Sequence, residues 1–410
     1  MIKSAFIAVA SDFLPKKELE KIISVNLSKL HKICKDRINE SELLKPETNY
    51  YFIVTGGTET EVMILQKKRD KKFANEDIVL IAHESNNSLA ASLELLARFK
   101  QDGRKGKVIY LPDRTKHTSS TAVTEFVSKD VLKGTRIGVI GKPSDWLVAS
   151  SPSSETVKES LGAEVVPIEM KEIKNIYAKL TKADCKNIFD NFTQKSQDIF
   201  EPSDEDIFNN VKVYIAMKEI VDKYELDAVT VRCFDLVINP GTTGCFALSY
   251  LNDLGIIAGC EGDIVSTLGM QYIYKKTKKL PWMANPSRLN IENNSLILAH
   301  CTVPVSIVEN YTLRSHFESG IGVGIQGNFQ KSDVTIFRFG GKNLNKIWSA
   351  TGVITSVPKA ENLCRTQIEV KLDSEYNVAD LLVEPLGNHL IIIPGKIDIF
   401  PLHMKDSLSD

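Results

Sequence analysis

Two carboxylates stand two residues apart, directly after an apolar run in the second half of the chain. The run ends at Cys260, and Glu261 and Asp263 follow it. If the run is a β-strand that continues through both residues, their side chains project to the same face. The pair could then chelate a hard divalent cation or divide the roles of general acid and base. The alternative is structural: Asp263 caps a helix that begins at Ile264, and Glu261 is a solvated turn residue.

A histidine near the C-terminus could complete such a site. His389 ends the segment Leu386-Gly387-Asn388-His389 and precedes an apolar run at 390–393, so it lies where a strand begins. A neutral imidazole at a strand edge would serve as a third metal ligand. The alternative is a polar strand terminus that binds nothing.

A third group of chemistry-bearing residues stands beside a glycine turn. Arg314, His316 and Glu318 alternate along five residues just before Gly320. On a strand, all three side chains would point to one side. The same alternation is also typical of an exposed strand face that carries ion pairs.

Two polar loops in the first third follow predicted strands. The loop Gly56-Gly57-Thr58-Glu59 could hold a ligand through backbone N–H groups, but it lacks the features of a P-loop or of G-x-G-x-x-G. The other loop, at 83–88, includes Asn87 and Ser88. Ligands of open parallel sheets meet the loops at the carboxyl ends of strands, which makes both loops expected positions for substrate contacts. Trp146, in a later loop, either belongs to the core or stacks on a sugar ring.

Three groups of elements must position these residues. Residues 1–117 alternate strands with helices and predict a parallel sheet that is covered on both faces. Residues 118–290 repeat this pattern, after a polar boundary near 113–119. Residues 291–410 contain short, alternating runs, which indicate an antiparallel barrel or sandwich. The predicted strands are 2–10, 50–55, 77–82, 107–111, 136–140, 163–168, 228–234, 256–260, 296–300, 322–327, 334–339, 347–357 and 366–372. The predicted helices are 17–33, 89–99, 205–223, 244–252 and 264–274, and the segment 173–193 is predicted to contain helix.

The amino-acid composition limits the classes of function that this chain can have. The chain has 410 residues, 43% of them hydrophobic, and 51 basic against 52 acidic residues. Such a balance gives no electrostatic footprint for nucleic acid or an anionic membrane, and a neutral sugar fits it better than a polyanion. No run approaches the length of a membrane helix, and the N-terminus does not read as a signal peptide. The seven cysteines form no C-x-x-C pair and are expected to be free thiols in a cytoplasmic protein.

Together these stretches resemble the L-fucose/L-arabinose isomerase superfamily, and within it the shorter fucose isomerase-like branch. The resemblance is distributed over nearly the whole chain, in motifs whose order and spacing are more specific than any one of them. Those motifs lie at 56–59, 86–94, 136–146, 260–263, 299–301, 316–320 and 387–389.

The resemblance implies two α/β domains of Rossmann or flavodoxin-like type, followed by a β-rich, barrel-like domain. It implies an active site in a cleft between domains, completed by a neighbouring subunit of a homotrimer or homohexamer. The implied reaction is aldose–ketose interconversion of a small carbohydrate through an enediol, assisted by Mn²⁺ or a similar ion. By motif, the implied metal ligands are Glu261, Asp263 and His389. The implied substrate contacts are Thr58, Glu59, Asn87, Ser88, Trp146, His300, His316 and Glu318.

One position departs from the family pattern. The larger fucose isomerases carry a glutamate on the strand before the paired acids, where this chain has Asp235. We expect Asp235 to act with Glu261 and Asp263 as acid/base groups. Two alternatives stay open: a non-catalytic sugar-binding or regulatory protein of the same fold, and a different proton-transfer reaction on a modified sugar.

Overall fold

Two parallel sheets with flanking helices, a closed antiparallel barrel and a small three-stranded sheet make up the fold. The computed structural model describes residues 5–12, 14–34, 36–45, 49–74, 76–112, 123–125 and 131–399. The mixed α/β class and the β-rich barrel predicted from the sequence are confirmed. The predicted boundary near 113–119 lies outside the described residues.

The first parallel sheet and its helices span residues 5–110. In chain order they are β1 (Ala5–Val9), α1 (Lys16–Leu30), β2 (Asp36–Arg37), β3 (Asn49–Ile53), α2 (Glu59–Asp70), β4 (Ile78–Ala82), α3 (Ser88–Gln101) and β5 (Gly106–Tyr110), with a 3₁₀ turn at Glu40–Glu42. The strand order is β2-β1-β3-β4-β5. Every residue of β4 is buried, as expected of a parallel strand whose two faces are both covered. The loops that follow β3 and β4 are the two polar loops singled out in the sequence.

The second parallel sheet has four strands in the order β11-β10-β7-β8. In chain order, this part of the chain contains β6 (Val123–Glu125), β7 (Arg136–Ile140), α4 (Ser154–Leu161), β8 (Glu164–Ile168), α5 (Met170–Tyr177), α6 (Lys182–Lys195), β9 (Asp198–Ile199), α7 (Asp204–Lys223), β10 (Ala228–Val231), α8 (Phe234–Ile238), α9 (Cys245–Asp253), β11 (Ile257–Gly259) and α10 (Ile264–Thr277). The segment 173–193, predicted to contain helix, holds most of two helices, α5 and α6. The predicted strand at 228–234 is too long, because a turn in which the Asp235 amide donates to the Arg232 carbonyl ends it and begins α8.

The barrel closes six antiparallel strands in the order β16-β19-β12-β13-β18-β17, with β17 paired back to β16. The strands after α10 are β12 (Trp282–Asn290), β13 (Ser295–His300), β14 (Asn310–Arg314), β15 (Gly324–Asn328), β16 (Asp333–Gly340), β17 (Lys346–Ser356), β18 (Thr366–Leu372) and β19 (Leu390–Pro394), with 3₁₀ turns at Val305–Ile307 and Val378–Leu382. β6 adds to β17 outside the ring, and β15, β14 and β9 form the small sheet. Because β12 lies within the barrel, the strand just before the predicted division at 290 pairs with the strands after it.

Two further expectations concern cysteines and membrane segments. All seven cysteines are free and buried. Among the described helices, none combines the length and apolar character that a bilayer crossing requires.

Candidate functional site

Three potential metal-ligand atoms converge where the second parallel sheet meets the barrel. Glu261, His300 and His389 each offer one such atom, and all three atoms lie within 4.8 Å of one another. Oε1 of Glu261 is 3.5 Å from Nε2 of His389, and the His300 and His389 rings lie 5.5 Å apart, centroid to centroid. Within the described ranges, this is the group of side chains that could hold a metal ion. We refer to these three residues as the ligand cluster.

A tight turn after β11 directs the Glu261 side chain toward the two histidines of the ligand cluster. The strand ends at Gly259, and both Glu261 (φ +63°) and Gly262 (φ +73°) adopt left-handed conformations. A Cβ on Gly262 would stand 2.7 Å from Cα of Pro143, so only glycine fits this close approach. The strand therefore does not continue through Glu261 and Asp263, and the condition for placing both side chains on one strand face is not met. Asp263 instead caps α10 by accepting from the Ser266 amide at 2.7 Å, so the structural alternative for this residue is confirmed.

The indole of Trp146 fixes the second oxygen of Glu261. Nε1 of Trp146 donates to Oε2 at 2.6 Å, and the Trp146 ring packs edge-on against Phe234. The Glu261 side chain is 15% exposed, so the cluster is accessible from this side. Burial alone would raise the pKa of Glu261, but His389, His300 and the indole donor outweigh it and hold that pKa below its ordinary value. The carboxylate is therefore ionised, as a ligand must be.

His300 ends β13, in a position where one ring nitrogen is already engaged. Its Nδ1 shares a 2.9 Å hydrogen bond with the Thr302 hydroxyl, which leaves Nε2 for a ligand. Burial and the neighbouring His389 lower the pKa of His300 to about 4. The imidazole is thus neutral near pH 7, which is the form that binds metals. The sequence predicted His300 as a substrate contact, and the structure adds it to the ligand cluster.

His389 is fully buried just before β19 and holds an unpartnered nitrogen. Its Nδ1 is 2.8 Å from Oδ2 of Asp263, while Nε2 has no hydrogen-bond partner among the described residues. Burial opposes protonation, but Glu261 and Asp263 raise the pKa of His389 to about 9, so that without a metal ion Nε2 carries a proton near pH 7. A cation beside Glu261 would bind Nε2 by displacing that proton, so metal affinity should rise with pH. One carboxylate and two imidazoles fit a first-row transition metal such as Mn²⁺, Fe²⁺ or Zn²⁺ better than Mg²⁺.

Asp263 lies behind His389, at the centre of a set of buried polar contacts. Besides His389, its carboxylate accepts from the amide and hydroxyl of Ser266, at 2.7 and 2.6 Å, and from Arg338 at 3.3 Å. Burial would raise the pKa of Asp263, but Arg338 and His389 outweigh it and hold that pKa far below the usual range. These contacts occupy the carboxylate, so the geometry favours a role in orienting His389.

Glu94 on α3 extends these contacts into the first parallel-sheet unit. Its fully buried carboxylate accepts from the amides of Ala149 and Asn388, at 2.8 and 2.9 Å, and from the Ser150 hydroxyl at 2.9 Å. The same hydroxyl accepts from Arg338 at 2.6 Å. We call Glu94, Ser150, Asp263, Arg338 and His389 the buried network. It joins both parallel-sheet units to the barrel at the ligand cluster.

Other predicted residues line the accessible side of the cluster. Nδ2 of Asn87 donates to Oε1 of Glu318 at 2.7 Å, across 231 positions of sequence. The ring of His316 packs edge-on against Phe234, next to Trp146. Glu318 is accessible to solvent, yet the surrounding protein still raises its pKa. We call Asn87, His316 and Glu318 the open face.

The expected strand through Arg314, His316 and Glu318 is wrong. β14 ends at Arg314, and the amide of Gly320 then donates to the His316 carbonyl in a turn. Gly320 itself has φ +68°. The turn separates Arg314, which pairs with Glu201, from the two residues of the open face.

The remaining predicted substrate contacts, Thr58, Ser88 and Glu59, differ in whether their side chains have hydrogen-bond partners. The Thr58 and Ser88 hydroxyls donate to the carbonyls of Thr55 and Ile53, inside the first unit. Glu59 is 2% exposed, and its Oε2 has no partner among the described residues.

Asp235 also has a specific partner. It lies in α8, where Nε of Arg232 donates to its carboxylate at 3.1 Å.

Sequence reasoning assigned His300 to substrate rather than to the ligand cluster, and it missed most of the buried network. Glu94 was part of a motif but received no role, and Arg338 and Ser150 were not singled out. A signal did exist for Arg338: a charged residue in the middle of an alternating barrel strand needs a buried partner.

Half of the chain is similar in sequence to curated proteins. No protein-family model matches the chain. Over 214 residues the chain is 24% identical to the sulfoquinovose isomerases of Priestia aryabhattai and Priestia megaterium, covering 50% of this chain and 48% of each relative. The chain therefore spans about half the length of these curated relatives. A solved A-type ketoreductase from a modular polyketide synthase is 11% identical, with a TM-score of 0.20, over 63% of this chain and 78% of that one. Over half its length, then, this chain is similar to proteins that are sugar isomerases.

Proposed function

We propose that this protein is a metal-dependent aldose–ketose isomerase that acts on a small carbohydrate. The observation that carries the proposal is the convergence of Glu261, His300 and His389, in a chain similar over half its length to sulfoquinovose isomerases. A divalent metal held there would polarise the carbonyl and hydroxyl oxygens of an open-chain sugar. Mn²⁺ is the metal we propose, within the range that the donor set accepts.

The reaction also needs a group that removes a proton from one sugar carbon and returns it to the next. Glu318 is our candidate because it is accessible and oriented by Asn87, and because its pKa is raised above the ordinary value. Asp235 is a weaker candidate, since Arg232 holds its carboxylate in an ion pair. Asp263 is better assigned to orienting His389 than to contacting substrate, because it is fully buried. Trp146 holds Glu261 in place.

Turnover of an aldose panel tests the proposal. Aldopentoses, aldohexoses and sulfoquinovose are incubated with protein and Mn²⁺, with and without EDTA, and ketose formation is measured. We expect turnover of at least one sugar, and we expect EDTA to abolish it. Absence of turnover in protein that carries a stoichiometric metal would contradict the isomerase assignment.

Metal analysis of ligand variants tests the site itself. His300→Ala and Glu261→Gln should each lose bound metal and turnover together, because a three-residue site tolerates the loss of no ligand. His31→Ala, at an exposed histidine at the end of α1, is the matched control and should retain both. Full metal content in His300→Ala would exclude His300 as a ligand.

One observation favours a second candidate, a sugar-binding protein without turnover. Asp235, which stands where the larger fucose isomerases carry a glutamate, is paired with Arg232 in a short helix. In that case a sugar would raise the melting temperature, while no metal would support ketose formation.

Several finer expectations belong to the same proposal. The strand order β2-β1-β3-β4-β5 supports a flavodoxin-like first domain. We also propose domains at 1–117, 118–290 and 291–410, a homotrimer or homohexamer, and a cytoplasmic location. Light scattering on the purified protein would measure the oligomer.

A further inference from the structure

The turn that carries the open-face residues His316 and Glu318 is anchored at its first residue, Ser315. We call residues 315–323 the open-face turn. Ser315 follows β14, is 6% exposed, and has a partner for each of its three polar groups. Its amide donates to Oε2 of Glu201 at 3.1 Å. Its carbonyl and its hydroxyl both accept from Arg365, at 2.8 and 3.2 Å. The position of the turn therefore depends on where Arg365 lies.

Arg365 is itself fixed against the strand that ends in the ligand-cluster residue His300. It stands directly before β18, whose first residue, Thr366, pairs with His300 in the antiparallel ladder. The backbone amide of Arg365 also donates to Sγ of Cys301, at 3.5 Å. One residue thus contacts the strand of the ligand cluster through its backbone and the open-face turn through its side chain.

The guanidinium of Arg365 is buried and donates in three directions. Nε and Nη2 hold Ser315, while Nη1 donates to Oε2 of Glu361 at 3.0 Å. The Glu361 side chain is 73% exposed, so the counterion of Arg365 lies on the solvent side. The donors of a planar guanidinium are fixed relative to one another, and they constrain both the distance and the direction of their acceptors. A lysine ammonium in the same place could not impose that geometry.

Hydrogen bonds within the open-face turn transmit this constraint to Glu318. The His316 amide donates to the Ile321 carbonyl at 3.0 Å, and the Gly320 amide donates to the His316 carbonyl at 2.8 Å. Glu318 lies inside the loop that these two bonds close, and Asn87 meets its carboxylate at 2.7 Å. A shift at the start of the turn would therefore displace the Glu318 carboxylate.

We propose that Arg365 is a positioning residue that sets the distance between the ligand cluster and the carboxylate of Glu318. The inference rests on the proposed function, in which Glu318 moves a proton on a sugar bound at the cluster. A proton-transfer group must lie within hydrogen-bond reach of the atom it serves, and a misplacement of about 1 Å can reduce the rate roughly 100-fold. Arg365 acts through Ser315 and not on the substrate.

Arg365→Lys tests this role because it keeps the positive charge and removes the fixed set of donors. We expect kcat to fall at least about tenfold while the metal content stays unchanged. Arg314→Lys is the matched control. The Arg314 side chain is 12% exposed, against 10% for Arg365, and it pairs with Glu201 and Glu361. Among the described contacts its guanidinium does not reach Ser315, so kcat should stay within about threefold.

The pH dependence of kcat separates displacement of Glu318 from a general loss of stability. Burial raises the pKa of Glu318 in the intact turn. A displaced carboxylate would be better solvated, so its pKa should fall and the acidic limb of kcat should move to lower pH in Arg365→Lys. A merely less stable protein would keep the limb in place. Glu361→Gln removes the ion pair but leaves both contacts to Ser315, so it should keep the wild-type kcat and limb.

Ser315→Ala repeats the test without disturbing a buried charge, in case Arg365→Lys does not fold. The substitution removes the hydroxyl contact and leaves the carbonyl contact to Arg365. We expect kcat to fall about threefold, the usual effect of one lost hydrogen bond, with the acidic limb shifted in the same direction. A wild-type kcat in Ser315→Ala would overturn the proposal.

Hydrogen exchange measures the anchoring without any turnover. Mass spectrometry of the segment 315–323 should show faster amide exchange in Arg365→Lys than in wild type or Arg314→Lys. Equal exchange in all three proteins would overturn the proposal, whether or not the protein converts a sugar. Faster exchange with wild-type kcat would also overturn it, because the turn would then move without affecting the reaction. Faster exchange in a protein whose wild type converts no aldose would support the anchoring by Arg365 while contradicting the isomerase function.

Discussion

The two sides of the ligand cluster differ in how completely their polar atoms are paired. In the buried network, Asp263 accepts from His389, Ser266 and Arg338, and none of its surface is exposed. On the open face, Glu318 is accessible and is oriented by the amide of Asn87. Both are carboxylates, yet their pKa values move in opposite directions.

This difference separates residues that position from residues that react. A carboxylate held by several buried donors cannot release its charge or reach a substrate without breaking those contacts. An accessible carboxylate with a raised pKa can reach a substrate and is a stronger base than an ordinary carboxylate, so it is better suited to take up and return a proton. The ligand cluster lies between the buried network and the open face.

Asp263→Asn should have the largest effect on the buried network. The substitution keeps the shape of the side chain but leaves Arg338 as a buried charge without its counterion. We expect the free energy of unfolding to fall by about 3 kcal/mol. Metal affinity should also fall roughly 10- to 100-fold, because His389 loses its orienting partner. Urea unfolding and a metal titration measure the two effects.

Asp235→Asn is the matched control for that substitution. Asp235 also pairs with an arginine, but its side chain is 33% exposed. Its loss should cost less than about 1 kcal/mol, as for other accessible ion pairs. Equal destabilisation by the two substitutions would contradict a special role for the buried network.

Glu318→Gln tests whether the open face supplies the group that moves the proton. The amide keeps a hydrogen bond to Asn87 but cannot take up a proton, so kcat should fall roughly 100-fold or more. Metal content should be unchanged, and the free energy of unfolding should shift by less than about 0.5 kcal/mol because the residue is accessible. Steady-state kinetics with Glu292→Gln, an exposed control, measure the effect. Retained kcat would remove Glu318 from the reaction.

The local sequence pattern predicts much of this fold, because many of its strands are apolar runs bounded by turn residues. β7 is found at its predicted bounds, 136–140, and the strand at 366–372 is likewise reproduced. β12 was missed because it contains Pro286 and lacks alternation. It pairs through a register shift between Pro286 and Arg288 that only tertiary contacts define.

The site was predictable in residue type but not in role. Glu261 and His389 stood out by position, yet the turn that separates Glu261 from Asp263 depends on left-handed backbone and on contact with the loop at Pro143. His300 joins the ligand cluster because strand pairing brings β13 close to His389. Such contacts link residues about 90 positions apart and leave no local pattern.

Glu59→Gln tests what burial does to a carboxylate without a cationic partner. Like Asp263, Glu59 is almost fully buried, but no arginine offsets the cost of its charge, and burial raises its pKa well above 4.5. A group whose folded pKa is raised keeps its proton in the folded state while the unfolded chain ionises, so stability falls as pH rises above about 4.5. The glutamine variant should therefore match wild type near pH 4 and become more stable above it, by up to about 1.4 kcal/mol for each pH unit until the folded pKa is reached. Urea unfolding from pH 4 to 8 measures this difference, with the exposed Glu292→Gln as control. A constant difference across that range would mean that Glu59 is ionised in the fold, and that burial alone does not explain the contrast with Asp263.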